Sequence, residues 1–282
     1  MKSTLLHLRL PFSLLLLPVY LFAYSEVPNP NIYNAIVVFI VWHLFVYPAS
    51  NAYNSYFDKD EGSIALIKEP PKVQKSLLVT AYVLEWTGLL LAFLVSFEFA
   101  LAVAIYNSFS KAYSHPRIRI KKYPILSFLV VFIFQGFFIY YSCYQAIGQY
   151  DLGLNADVIQ AGLIASCLIG ASYPLTQVYQ HEEDSKRGDK TLSLLLGVKG
   201  SFLFSGFVFF LGCTLMFDYW NRQNELYNFW IFALCCSPIL GYFLWWFKQC
   251  LNRVEAASFK NAMGMTLISG LMMLLYFSWL WL

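Results

Sequence analysis

Apolar residues in this chain come in long runs, and polar residues come in short clusters between them. The runs fall at residues 8–25, 32–56, 76–97, 98–114, 124–147, 156–179, 200–219, 227–247 and 260–281. A helix that crosses a bilayer needs about 20 predominantly apolar residues. The pattern therefore predicts an all-α integral membrane protein with nine transmembrane helices, the join between the third and fourth being the least marked. Composition agrees: 59% of the 282 residues are hydrophobic and 12% are charged, about half the charge of an ordinary soluble domain. No low-complexity tract, flexible linker or convincing internal repeat interrupts the chain, so one domain over residues 1–282 is expected.

The opening stretch, "MKSTLLHLRLPFSLLLLPVYLFAYSEV", has a basic start and an apolar middle but no clear small-residue cleavage site. It is expected to be a retained first span rather than a signal peptide. Eighteen of the 19 lysines and arginines fall in alternate inter-span segments or before the first span; Arg222 alone falls on the other side. Cytoplasmic loops carry such an excess. The expected topology places the amino terminus and the functional loops in the cytoplasm and the carboxyl terminus on the opposite side. The net charge of +3 gives no reason to expect a nucleic-acid partner. The six cysteines lie in or beside apolar runs without C-x-x-C spacing, so they are expected to be free thiols rather than zinc ligands or redox pairs.

Two cytoplasmic clusters are rich in oxygen ligands. The first, "SNAYNSYFDKDEGS" (50–63), continues the second apolar run. If the helix continues too, Asn51, Asn54, Asp58 and Glu61 share one face and Asp60 points away, with Pro48 bending the helix upstream. The second, "YQHEEDSKRGDKTLSLLLG" (179–197), places Gln180, Glu183, Asp184 and Arg187 on one face, and Gly188 is a natural helix stop. A solvated helix end explains either cluster taken alone. Two such faces ending spans on the same side also fit Mg²⁺, which takes oxygen ligands and commonly binds substrate phosphates; facing clusters would hold a diphosphate between them. Glu85 stands apart, an ionisable residue inside the third run and by default a functional candidate, with His43 and Asn107 as possible partners. Pro174 is expected to bend the sixth span.

The sequence resembles the UbiA-type intramembrane prenyltransferases, and the resemblance covers essentially the whole chain. Asn54-x-x-x-Asp58 matches the start of that family's first motif, N-x-x-x-D-x-x-x-D. "KEPPK" (68–72) resembles the basic, proline-containing segment that follows it. "EEDSKRGDKTLSLLLG" resembles E-G-D-x-x-x-G-x-x-T-L-x-x-x-x-G, with Asp184, Gly188, Thr191, Leu192 and Gly197 in register. "AYSHP" (112–116) with Lys121 resembles the region after the fourth helix, and "LRLP" (8–11) resembles the opening of the first. Two positions depart from the pattern: Gly62 and Gln180 stand where the family motifs have aspartate. Glu61 and Glu183 are their neighbours on the same helical faces.

The resemblance implies a nine-helix UbiA-like bundle with an active cavity on the cytoplasmic side. It implies Mg²⁺-dependent transfer of a prenyl group from a prenyl diphosphate to an aromatic or lipid acceptor in the membrane. Asp58 and Asp184 would be the catalytic carboxylates. Asn54, Asp58, Glu61, Gln180, Glu183 and Asp184 would hold the metal, and Asn54, Lys68, Lys121, Arg187 and Lys190 would contact the diphosphate. Tyrosines at 53, 56, 113, 140, 141 and 173 are candidates to shield a developing carbocation. Two alternatives stay open: a catalytically impaired relative that binds a lipid or partner, and a small transporter resting on Glu85 and the interrupted sixth span.

Overall fold

The computed structural model describes residues 2–59, 62–148 and 153–281. Apart from one isolated bridge between Ile64 and Ile67, its regular structure is helical among the described residues. Among the described residues, eight helices are long and apolar enough to cross a membrane: Ser3–Ser25, Ile32–Asp58, Lys75–Ala92, Pro124–Gly148, Ala156–Thr176, Leu192–Arg222, Leu226–Asn252 and Phe259–Trp279. The helix predicted at 98–114 is present as Phe97–Ser114, but Glu98, Asn107 and Lys111 make it more polar and it is not among the eight. Large exposed apolar side chains such as Val79, Trp86, Phe207, Phe210, Trp230 and Leu234 stud these helices. That is the surface expected of helices bathed in hydrocarbon.

The chain forms two compact units, one of Met1–Lys121 with Ser142–Leu152, the other of Lys122–Tyr141 with Gly153–Leu282. The first unit opens with α1 (Lys2–Leu8), α2 (Leu10–Leu14) and α3 (Leu17–Ser25), a span broken at Arg9, which is left-handed at φ 48°. The next span begins as α4 (Ile32–Phe39), widens into a π-helical segment at Ile40–Val46, and resumes as α5 (Tyr47–Asp58). The Tyr47 N–H reaches back five residues to the Trp42 carbonyl. The next residue, Pro48, has no N–H and could not continue a regular ladder. His43, inside this segment, donates from Nδ1 to the Ser13 carbonyl at 2.8 Å, while the Ser13 hydroxyl donates to the His43 carbonyl at 2.9 Å. His43 is thus committed to pinning α2 against the widened turn.

Two long helices complete the first unit, α6 (Lys75–Ala92) and α7 (Phe97–Ser114), the latter capped by the Ser96 hydroxyl on the Phe99 N–H. Glu85 on α6 pairs with Lys111 on α7 at 2.5 Å, not with His43 or Asn107. Lys111 also lies over the Tyr82 ring, 5.7 Å from its centroid.

In the second unit, α8 (Pro124–Val131) passes through a π-helical segment, Phe132–Phe137, into α9 (Phe138–Gly148), which from Ser142 on belongs to the first unit. It packs against α10 (Ala156–Ser172) at closest approach beside Gly136. A Cβ there would lie 2.3 Å from the Ser166 Cα, and the Ser166 hydroxyl accepts from the Phe137 N–H at 2.8 Å. After α10, Pro174–Thr176 forms a single 3₁₀ turn, so Pro174 ends the helix instead of bending it through. Then come α11 (His181–Arg187), α12 (Leu192–Arg222), α13 (Leu226–Asn252) and α14 (Phe259–Trp279). The α12 helix begins eight residues before the predicted start at 200 and breaks at Gly197, whose φ of 66° favours glycine. Trp220 on α12 donates to the Tyr276 hydroxyl on α14 at 2.8 Å, both side chains being buried. Of the six cysteines, Cys143, Cys167 and Cys236 are buried, the others half-buried, and all six are free.

Two predictions follow from this packing. Gly136→Ala forces Ser166 away and lowers the thermal midpoint in detergent, at a cost of about 1–3 kcal/mol. Gly241→Ala, where an added Cβ meets nothing within 4 Å, leaves the midpoint equal or slightly higher. Lys111→Met strands the Glu85 carboxylate and lowers the midpoint, whereas the Lys111→Met, Glu85→Gln pair recovers most of the loss; a double-mutant cycle by thermal unfolding measures the difference.

Candidate active site

The first oxygen-rich cluster belongs to the first unit. Ala52 and Tyr53 on α5 are buried against Leu8, Leu77 and Ala81, which fixes the helix in rotation. Asn51 is spent on structure: its Nδ2 donates to the Leu8 carbonyl, and its own carbonyl accepts from Arg9 Nη2, both at 3.2 Å. Asn54, one turn before Asp58, is half-buried. The helix does not continue to Glu61 as predicted. It stops at Asp58 because Lys59 turns left-handed, φ 49°, and its N–H closes on the Ser55 carbonyl. Glu61 and Asp60 lie outside the described residues. The chain then passes through the left-handed Leu66 and the 64–67 bridge, where the Ser63 hydroxyl donates to the Lys68 carbonyl at 2.7 Å.

Asp58 is the buried charge of this cluster. Its Oδ1 lies 2.5 Å from Lys121 Nζ and 3.6 Å from Arg119 Nη1, with side-chain exposures of 4%, 12% and 19% for Asp58, Lys121 and Arg119. A carboxylate this deep persists as a charge only with compensation, and two cations supply it. The cations arrive on one tight turn: the His115 carbonyl accepts from the Ile118 and Arg119 N–H groups, and Arg119 is left-handed at φ 46°. The Arg119 conformation is one that a residue with a Cβ adopts less readily than glycine. The sequence reading singled out Lys121 and not Arg119. No spacing marks Arg119, because "RIRIK" (117–121) folds as a turn leading into a 3₁₀ segment at Ile120–Lys122 and not as a strand with alternating faces.

The second cluster belongs to the second unit. The α11 helix runs from His181 to Arg187 and ends on Gly188, left-handed at φ 73°, as its position predicted. Gln180 is its N-cap residue, without a side-chain cap bond, four residues before Asp184. Asp184 is buried; its Oδ2 accepts from the Thr191 hydroxyl at 3.2 Å and its carbonyl from the Asp189 N–H at 3.0 Å. Glu183 pairs with Arg187 one turn on, and exposed Glu182 with exposed Lys186. The hydrogen bond from Lys186 holds the Glu182 carboxyl below its ordinary pKa. Burial holds the His181 imidazole below its ordinary value too, against the opposing effect of its bond at Ser193, whose hydroxyl continues the chain to Ser201 at 2.9 Å. Asp189 and Thr191, both buried, were not among the predicted site residues. The sequence marks Thr191 only as a match to the family motif, and Asp189 only by its place in the turn after Gly188. Lys68 and Lys190 are exposed and, among the described residues, make no ion pair with either cluster.

The donor chemistry fits a hard divalent cation. Asn54 with Asp58, and Gln180 with Asp184, are oxygen donors one helical turn apart; none is a thiol or imidazole. Among the described residues no three His, Cys, Asp or Glu side chains gather into a group able to hold a metal. A partial oxygen set suits Mg²⁺, which keeps waters and shares substrate phosphates instead of needing an all-protein cage.

The fold is that of solved UbiA proteins. A UbiA homolog from Archaeoglobus fulgidus, bound to DMAPP and Mg²⁺, matches with a TM-score of 0.70 at 18% identity, over 99% of this chain and 98% of that one. A UbiA homolog from Aeropyrum pernix K1 in its apo form matches with a TM-score of 0.67 at 16% identity, over 95% and 98%. A digeranylgeranylglyceryl phosphate synthase matches with a TM-score of 0.63 at 20% identity, over 98% and 97%. No curated protein sequence matches the chain significantly. The sequence model of the UbiA prenyltransferase family matches residues 12–270. That match runs through both oxygen-rich clusters and all but the ends of the chain, and it makes this protein a member of the UbiA prenyltransferase family.

Proposed function

We propose that this protein transfers a prenyl group from a prenyl diphosphate to an aromatic or lipid acceptor within the membrane, using Mg²⁺. The observation that carries the reading is the buried Asp58, at the family's motif position and under two cations, in a chain the family model matches over 12–270. The Archaeoglobus fulgidus homolog binds DMAPP together with Mg²⁺, which supports a substrate of that class here. The proposal keeps one domain over residues 1–282 and nine spans, counting Phe97–Ser114 as the fourth. It keeps the amino terminus and both clusters on the cytoplasmic side, as the lysine and arginine bias directs.

Asp58 with Asn54, and Asp184 with Gln180 and Glu183, are the residues that would hold Mg²⁺, with Glu61 as a further donor. When bound, the metal neutralises the diphosphate and stabilises the charge that develops on the leaving pyrophosphate. Lys121 and Arg187 meet phosphate oxygens, with Lys68 and Lys190 as outer contacts. The bond from the prenyl carbon to the diphosphate oxygen breaks, and its electron pair leaves with pyrophosphate. The acceptor's nucleophilic atom forms the new bond to that carbon and gives up a proton. Thr191 holds the Asp184 carboxylate in place for this, at 3.2 Å. Preorganised charges of this kind act most strongly where water is excluded.

Gly62 and Gln180 in place of aspartates favour a second reading, a family member that binds a prenyl lipid without turning it over. The transporter alternative loses its main support, since Glu85 is paired with Lys111.

Purified protein incubated with geranyl diphosphate, Mg²⁺ and a panel of phenolic and glycerol-lipid acceptors is expected to release pyrophosphate and form a prenylated product. EDTA abolishes both. Asp58→Asn and Asp184→Asn each lower the rate by about 10²-fold or more, the scale of removing one preorganised electrostatic group. Binding of geranyl diphosphate without turnover for any acceptor would select the second reading, and no binding at any prenyl chain length would exclude both.

A further inference from the structure

The second span has a gap in its ladder that its own backbone cannot fill. In the π-helical segment Ile40–Val46 the Tyr47 N–H goes to the Trp42 carbonyl, so the His43 carbonyl, next in line, is passed over. The following N–H that could reach it would come from residue 48, and Pro48 has none. The Ser13 hydroxyl fills the gap from α2. Its Oγ lies 2.9 Å from the His43 carbonyl and 2.7 Å from the Leu10 carbonyl, one proton serving two acceptors. His43 donates in return from Nδ1 to the Ser13 carbonyl at 2.8 Å. Both residues are buried, and hydrocarbon offers no water to an unmet carbonyl. The second unit uses the same device with opposite polarity. At its π-helical segment, Phe132–Phe137, the Ser166 hydroxyl of α10 accepts from the Phe137 N–H at 2.8 Å.

A widened turn has a competitor. If the Tyr47 N–H moved from Trp42 to His43, the segment would become ordinary α-helix. Everything after it would then turn by one residue's step, about 100°. Asn54 and Asp58 lie downstream, on α5. The widened turn therefore sets the face on which both emerge. In the α-helical alternative the His43 carbonyl has a backbone partner, so the Ser13 bond favours the widened form alone.

We propose that Ser13 and His43 are positioning residues: they lock the widened turn of the second span and so hold Asn54 and Asp58 in the rotation that meets metal and diphosphate. The ligand part of this rests on the proposed function; the lock on the turn stands on the hydrogen bonds alone.

The test uses the full chain in detergent, carrying Ser55→Cys as a reporter. Ser55 is buried on α5, and its hydroxyl has no hydrogen-bond partner among the described residues, so the thiol reports helix rotation without removing a bond. Maleimide labelling at position 55, read by peptide mass spectrometry apart from the six native thiols, is expected to be slow. Ser13→Ala is expected to speed it about tenfold, the population shift produced by leaving one buried carbonyl unmet. It is also expected to weaken Mn²⁺ binding in the presence of geranyl S-thiolodiphosphate by about tenfold or more, the scale on which support for a metal ligand acts. Ser13→Thr keeps the hydroxyl and restores both. Pro48→Ala gives position 48 an N–H for the His43 carbonyl, so adding Ser13→Ala to it is expected to change neither. A merely structural role for Ser13 would cost as much on that background as on the native one. Thermal unfolding checks that each variant is folded. Unchanged labelling in folded Ser13→Ala overturns the proposal, as does an effect that Pro48→Ala fails to suppress. Faster labelling with unchanged Mn²⁺ affinity overturns the positioning role. The labelling change in a protein whose wild type binds neither Mn²⁺ nor the thiolodiphosphate upholds the lock on the turn and overturns the proposed function.

Discussion

A buried carboxylate at the end of a membrane helix must be answered by positive charge, and Asp58 is answered twice. That requirement organises much of the first unit. The α5 helix must end where Asp58 can be reached, and the left-handed Lys59 ends it there. The turn after α7 must deliver Arg119 and Lys121 together, and it accepts a left-handed Arg119 to do so. The helix that carries Asp58 must not slide or rotate. The buried Ala52 and Tyr53, and the bonds from Asn51 to Leu8 and Arg9, hold it. The strain of one backbone residue and the ordering of a turn are offset by compensation of a charge that would otherwise cost several kcal/mol to keep buried.

In the second unit the buried motif carboxylate is Asp184. Asp184 is buried under the Thr191 hydroxyl, and the glycine-terminated turn brings that hydroxyl back over it. Arg187, one turn after Glu183, pairs with it. Asp58 pairs with cations within its own unit, and Asp184 accepts from a hydroxyl within its own. The two substituted motif positions reduce the number of carboxylates that the same chemistry can draw on.

The hydrophobic pattern located the helices to within a few residues because a run of apolar side chains has only one stable arrangement in hydrocarbon, a helix with its backbone satisfied internally. The residue periodicity placed Asn54 with Asp58 and Gln180 with Asp184. What it missed was set by single backbone dihedrals and by long-range reach. The left-handed Lys59 ends α5 at Asp58, and no three- or four-residue period reports where a helix stops. Gly197 lets α12 begin at Leu192, although Lys199 makes that stretch look like a loop. The π-helical segments at Ile40–Val46 and Phe132–Phe137 are as apolar as the helices around them, so composition does not mark them. Glu85 finds Lys111 across two helices, and Arg119 finds Asp58 across a sequence gap that only the folded chain closes. The family motifs supplied Lys121 by resemblance, but nothing in them marks its contact with Asp58.

The most direct measurement of the account is a structure of the protein with Mg²⁺ and a non-reacting prenyl diphosphate analogue, read at the Asp58 carboxylate. The account predicts that Mg²⁺ sits on the Asp58 carboxylate and that Lys121 Nζ, 2.5 Å from that carboxylate without ligand, lies within hydrogen-bond reach of a diphosphate oxygen. A diphosphate and metal bound with no contact to Asp58 would contradict it.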